Sequence, residues 1–314
     1  MNGLELSRGY FEEYGKPMLQ KDFADILPFL AAGFVGSGSE HIGFDDEISQ
    51  DHDFEPGFCI FLPSEDVIDR RTAFLLERAY EKLPKEYMGV ARQKISPVGG
   101  NRNGVLRTAE FYLSKTGTPD GVLSNEAWLN LPDYALLEAV NGEVYFDNFG
   151  EFTKIREILK NQPEDVKLKK LAGNLLIMAQ AGQYNFTRCL NHGEKEAAQM
   201  ALFEFVNAAL KTVFLLNNRY MPYYKWSFRA LREFDTDNFY NDNLSLLLYG
   251  DNNDFDVADL KYEAVKKIAG RIIDVLQEQN LTKAICGDLE KHAYSVNDKI
   301  TDGALRNMNI LAGV

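Results

Sequence analysis

At 314 residues the chain exceeds one typical domain, and two are expected. Its 45% hydrophobic and 26% charged residues suit an ordinary globular protein, while a net charge of -13 disfavours DNA or RNA, so no nucleic-acid polymer is expected as a partner. Three scattered cysteines, Cys59, Cys189 and Cys286, form no zinc spacing and point to reduced thiols in a cytoplasmic protein; the opening MNGLELSRGYFEEYG is too polar for a signal peptide, and no apolar run approaches the length of a membrane span.

Apolar periodicity predicts a helix over Leu4 to Leu30, with Phe23, Ile26, Leu27 and Leu30 on one side. A short buried strand follows over Ala31 to Val35, then the small loop Gly36-Ser37-Gly38-Ser39. The acidic connection from Glu40 to Gln50 leads to Asp51-His52-Asp53 and to a near-continuous apolar strand, Phe58 to Leu62. Val67 to Leu83 reads as a helix stopped by Pro84, and PVGGNRNG from Pro97 to Gly104 as a turn-rich loop. Val105 to Leu113 reads as a strand, Trp128 to Leu137 as a helix interrupted near Pro132, and Asn141 to Gly150 as a turn, a strand and a turn. Strands alternating with helices are the pattern of an α/β domain. From Glu151 the pattern is helical: Glu151 to Leu159, Val166 to Gln180, Glu194 to Leu216, Val257 to Gln279 and Thr282 to Val296. Phe203, Val206, Leu210, Val213 and Phe214 form one apolar face; Val265, Ile268, Ile272 and Val275 form another. The Asn/Asp-rich stretch from Phe234 to Asp254 reads as irregular, with Leu244 to Leu248 a single buried helical turn. A boundary near Gly150 gives domains over 1–150 and 151–314.

The loop and the D-x-D pair carry the chemistry. Two carboxylates one residue apart on an extended strand point the same way and repel unless a cation joins them. A hard divalent ion such as Mg²⁺ relieves that repulsion and can then grip a phosphate. The Gly/Ser loop offers backbone N–H donors, close approach and a hydroxyl at a helix start, all suited to anionic oxygens. An isolated D-x-D is more often an acidic turn capping backbone N–H groups; the upstream loop and the apolar strand behind the pair favour the metal. Eleven residues separate Ser39 from Asp51, and Gly36 and Ser37 offer the same chemistry as Gly38 and Ser39 two residues earlier; the spacing found in the family named next favours the later pair.

The order strand, G-S, helix, D-x-D, strand resembles the nucleotidyltransferase superfamily, which includes kanamycin and lincosamide nucleotidyltransferases and DNA polymerase beta. The string GFVGSGSEHIGFDDEISQDHDFEPG is similar to a bacterial family known only as a domain of unknown function within it, and FLLNNRYMPYYKW, Phe214 to Trp226, resembles that family's helical domain. The resemblance implies an α/β (α+β) nucleotidyltransferase domain with a mixed sheet, followed by an all-α helical bundle. It further implies Asp51 and Asp53 as catalytic Mg²⁺ ligands, Gly36, Gly38 and Ser39 as phosphate contacts, and Lys225 as a neutraliser of the β- and γ-phosphates.

The superfamily places a third carboxylate on a neighbouring strand. Here Glu110 is the only acid on the expected strand, and a surface role suits it equally; Asp45, Asp46 and Glu47 are alternatives for the base. His52 should face away from the metal pair. Lys225, Arg229 and Arg232 share one helical face, which a solvated surface would also explain. The expectation is a cytoplasmic Mg²⁺-dependent nucleotidyltransferase, moving AMP from ATP to a hydroxyl of a small molecule or protein. The alternatives are a non-catalytic nucleotide-binding or antitoxin-like interaction module and, more remotely, a metal phosphohydrolase.

Overall fold

The computed structural model of the chain describes residues 1–48, 54–92, 102–252 and 254–314. The chain divides into two compact units: unit 1 holds Met1–Leu123 and Ala135–Asn161, unit 2 holds Ser124–Tyr134 and Gln162–Val314.

In unit 1, α1 (Gly3–Tyr10) starts at Asn2, whose side chain accepts from Glu5 N–H while Glu5 reaches back to Asn2 N–H. A π-helical turn, Phe11–Gly15, joins it to α2 (Lys16–Asp22). The helix expected to run to Leu30 therefore ends at Asp22. Pro28, which lacks an N–H and disfavours helix before it, leaves only a 3₁₀ turn at Leu27–Phe29.

Next come β1 (Ala31–Phe34), β2 (Cys59–Leu62), α3 (Arg70–Glu81), the small hairpin β3 (Glu86–Tyr87) and β4 (Val90–Ala91), and β5 (Gly104–Arg107). The expected strand Val105 to Leu113 is thus cut short: α4 (Thr108–Thr116) begins directly after Arg107. After α5 (Asn125–Asn130) and α6 (Asp133–Val140) come β6 (Glu143–Asp147) and α7 (Glu151–Lys160). The sheet order is β5-β2-β1-β6. β1 is antiparallel to β2 and β6, and β2 is parallel to β5, so the sheet is mixed.

Both β1 and β2 are buried throughout. Side-chain alternation along β2 divides the core. Phe58, Ile60 and Leu62 join Tyr10, Phe11, Leu19, Leu76 and Tyr80, whereas Phe61 meets Phe111 of α4 and Phe152 of α7 at 5.2 and 4.1 Å between ring centroids. Gly33 lies where β1 and β6 slip register by a bulge; a Cβ there would sit 2.5 Å from the Glu143 carbonyl oxygen.

Unit 2 is helical: α5 (Asn125–Asn130), the first residues of α6 (Asp133–Val140), α8 (Glu164–Met178), α9 (Phe186–Asn191), α10 (Lys195–Leu216), α11 (Tyr224–Arg232), α12 (Phe239–Tyr249), α13 (Phe255–Glu278), α14 (Leu289–Asn297) and α15 (Gly303–Asn307). α8 is buried on nearly every side, three lysines included. Lys167 donates to Asn218 Oδ1 at 2.8 Å, Lys169 to Asn297 Oδ1 and the Met308 carbonyl at 2.9 and 2.8 Å, and Lys170 to Asp133 Oδ1 at 3.0 Å. Such bonds offset the desolvation of the ammonium groups.

Three sequence expectations change here. α12 replaces the irregular stretch: Asn238 takes a left-handed turn, Asp235 Oδ2 accepts from Asn241 N–H at 2.7 Å, and Leu244 and Leu247 are buried. α14 begins only at Leu289, capped by Asp288, not at Thr282. α10 has the length and apolarity of a membrane span, contrary to the sequence reading, but 67% of its apolar window is buried in the fold. Val206, Leu210, Val213 and Phe214 of α10 are buried as expected; Phe203 is half exposed. On α13, Val265, Ile268 and Ile272 are buried.

Candidate functional site

β1 delivers Val35 into the loop Gly36-Ser37-Gly38-Ser39 within unit 1. Gly36 and Gly38 have φ of 123° and 132°, a region closed to most side chains. Asn141, just before β6, clamps Gly36: Gly36 N–H donates to Asn141 Oδ1 at 2.9 Å, and Asn141 Nδ2 donates to the Gly36 carbonyl at 2.7 Å. The Ser37 hydroxyl donates to Glu138 Oε2 of α6 at 2.6 Å and accepts from Lys115 Nζ of α4 at 2.5 Å; Lys115 also donates to Glu138 at 2.7 Å. Ser39 opens a four-residue 3₁₀ turn, Ser39–Ile42, rather than the helix that the motif order suggested.

That turn sets Glu40 and His41 beside the loop. The Glu40 carboxylate lies against Gly38, where any Cβ would collide with it. Glu40 Oε1 is 3.6 Å from Arg102 Nη1 and 3.5 Å from His41 Nδ1. His41 is 2% exposed, stacks on Phe34 at 4.0 Å, and neither ring nitrogen makes a hydrogen bond of ordinary geometry. Burial pushes its pKa down to about 3, assisted by the Arg102 and Lys115 charges and opposed by nearby backbone groups of Gly38 and Ser37. The imidazole is therefore neutral at pH 7.

A sign follows for acid stability. In the unfolded chain His41 takes up a proton near pH 6.5, but in the fold it does not until about pH 3. Its contribution is complete above pH 6.5 and declines as pH falls toward 3. Urea melts at pH 7 and pH 5 should show wild-type stability falling more steeply than that of His41→Phe; equal slopes would contradict it.

The residues singled out in the sequence separate as follows. Gly36, Gly38 and Ser39 sit together in the loop. Asp51, His52 and Asp53 lie outside the described residues. Among the described residues no group of three or more His, Cys, Asp and Glu side chains is placed to hold a metal ion. Glu110 is corrected from a strand to the first turn of α4, where it is exposed, because β5 stops at Arg107. Asp45 Oδ2 accepts from Gly3 N–H at 2.8 Å while its Oδ1 is buried without a partner, and Asp46 accepts from Ile48 N–H at 3.1 Å. Lys225 belongs to unit 2, exposed on α11 with its ammonium 5.5 Å from the Trp226 ring.

Sequence reasoning missed Lys115 and Arg102, two cations beside the loop, and Glu40 and Glu138, their carboxylate partners. Lys115 lies in the last turn of α4, and the packing of α4 on β5 carries it to Ser37.

Residues 128–227 match the family model for a domain of unknown function, DUF4037. The match spans the FLLNNRYMPYYKW stretch and leaves out the Gly/Ser loop and the D-x-D pair. No curated protein and no solved structure matches the chain.

Proposed function

We propose that the chain is a Mg²⁺-dependent nucleotidyltransferase that seats the phosphate tail of a nucleoside triphosphate, ATP foremost, on the Gly36–Ser39 loop. The observation that carries this reading is the loop itself. Two glycines in conformations open to close approach sit at the end of a buried strand, the first pinned by Asn141, with Lys115 and Arg102 beside the loop. Backbone N–H groups, two hydroxyls and two cations form a donor set suited to phosphate oxygens. Both cations have carboxylate neighbours, Glu138 and Glu40. An incoming phosphate would exchange with those carboxylates rather than enter bare positive charge.

The metal would be held by Asp51 and Asp53, on the sequence argument. When bound, it would draw charge from the α-phosphoryl group and lower the pKa of the attacking hydroxyl. The chain's own part would be to orient the triphosphate and to hold its charge while pyrophosphate leaves. The acceptor, a hydroxyl of a small molecule or protein, has no residue to name it. Cytoplasmic location is part of the same proposal.

A panel of nucleoside triphosphates, each with and without Mg²⁺, tests this by thermal shift. One nucleotide should raise the melting temperature only with the metal; at a hundred times its Kd the gain is about 2.7 kcal/mol. Equal melting across the panel would defeat the reading. The exposed, helical position of Glu110, the acid offered as the third carboxylate, favours a second reading, a module that binds nucleotide without turning it over. Metal-dependent stabilisation without pyrophosphate release would single that reading out.

A further inference from the structure

We propose that the chain binds a second copy of itself, with α3 of one copy lying against α10 of the other. Each helix presents an exposed apolar stripe bounded at both ends by charge, and the two helices carry opposite charges there.

α3 buries Leu76 and Tyr80 in the core of unit 1 and leaves Arg71, Phe74, Leu75 and Arg78 exposed. Their spacing, i, i+3, i+4 and i+7, puts all four on one face. α10 buries Leu202 and Phe205 in unit 2 and leaves Glu196, Met200, Phe203 and Glu204 exposed, at i, i+4, i+7 and i+8. Phe74, Leu75, Met200 and Phe203 are each 50% or more exposed. Single exposed apolar side chains are ordinary; neighbouring ones rimmed by charge mark a contact surface.

The two stripes match in length. At the α-helical rise, Arg71 and Arg78 stand about 10 Å apart, and Glu196 and Glu204 about 12 Å apart. Arg71, Glu196 and Glu204 make no ion pair among the described residues; Arg78 pairs at 3.2 Å with the exposed Glu81 of its own helix. Lys82 extends the positive end of α3. The contrary charges stand aside. Glu77 and Lys195 lie about 100° round their helices from Arg78 and Glu196, and Lys211 lies about 10 Å beyond Glu204.

Charge selects the pairing. α3 against another α3 sets arginine beside arginine, and α10 against another α10 sets glutamate beside glutamate. The mixed pair brings opposite charges together around a shared apolar centre. Two chains of net charge -13 repel elsewhere, so a basic stripe is the place where one can receive the other. Neither stripe includes the Gly36–Ser39 loop or its partners, and the proposal does not rest on the nucleotide reading.

Sedimentation velocity on the full chain tests this, at concentrations up to about 1 mM, the weak end of specific association. The average mass should rise with concentration. Arg71→Glu with Arg78→Glu should weaken the association about a hundredfold, because like charges then face one another. Glu196→Arg with Glu204→Arg should do the same. All four substitutions in one chain should restore it, since every charge pair is then reversed but still opposite. Phe203→Ser should weaken it about tenfold through the lost apolar contact. These positions are all exposed, so folding is not at stake. A monomer at every concentration, association that ignores both charge reversals, or a fourfold variant that stays monomeric would overturn the proposal.

Discussion

Asp51→Asn combined with Asp53→Asn should lower nucleotidyl transfer by about three orders of magnitude or more, the scale expected when charge stabilisation at the reacting phosphoryl group is lost. Asparagine keeps the shape of aspartate but neither the charge nor the affinity for a hard cation. With labelled ATP and a metabolite extract supplying the acceptor, label transfer and pyrophosphate release should both disappear. The Mg²⁺-dependent rise in melting temperature should vanish with them. Metal-free stability should hold or increase slightly, because two carboxylates that the sequence pattern is expected to turn the same way would no longer repel. Undiminished transfer by the double variant would remove the metal from the reaction. Loss of metal-free stability would instead assign these residues to the fold.

Gly33→Val should destabilise the protein by about 2–4 kcal/mol, the scale of overpacking with backbone displacement. At Gly33 there is no room for any side chain: an added Cβ would stand 2.5 Å from the Glu143 carbonyl oxygen and 3.1 Å from the Val144 Cα. These are backbone atoms of β6, which cannot rotate aside as a side-chain end could. Relief therefore requires β1 and β6 to part at the bulge. Since β1 runs directly into Gly36, the same displacement should reduce Mg²⁺-nucleotide stabilisation, a joint effect that distinguishes this site from a remote core defect. Chemical denaturation gives the first quantity and the thermal-shift panel the second. A variant with wild-type stability would show that β6 does not approach β1 so closely.

Much of this architecture can be read from local pattern. β1 and β2 are uninterrupted apolar runs buried on both faces, and the long helices announce themselves, α10 by its length and apolarity and α13 by its amphipathic period. Where local signals compete, reading fails. Thr108, Phe111 and Tyr112 are residues common in strands and prolong the strand-like composition of β5, yet Thr108 begins α4, and Glu110 leaves the sheet with it. The Asn- and Asp-rich segment around α12 carries turn composition, and tertiary burial of Leu244 and Leu247 overrides it. The site is legible only in part. The glycines and serines are visible as a string, and their unusual φ values follow from residue type. Lys115, Glu138 and Asn141 are not visible, because they reach the loop from 78, 101 and 105 residues away.

The polypeptide passes between its units three times, after Leu123, Tyr134 and Asn161. No single cut can therefore release either unit whole. A fragment ending at Leu123 would leave β1 without β6 and strip the loop of Glu138 and Asn141. A fragment beginning at Gln162 would deprive Lys170 of its Asp133 counter-ion. Ribosomal synthesis meets the same order: β1 emerges well before the strand that completes its edge, and unit 1 must wait through the helical excursion from Ser124 to Tyr134 before its sheet can close.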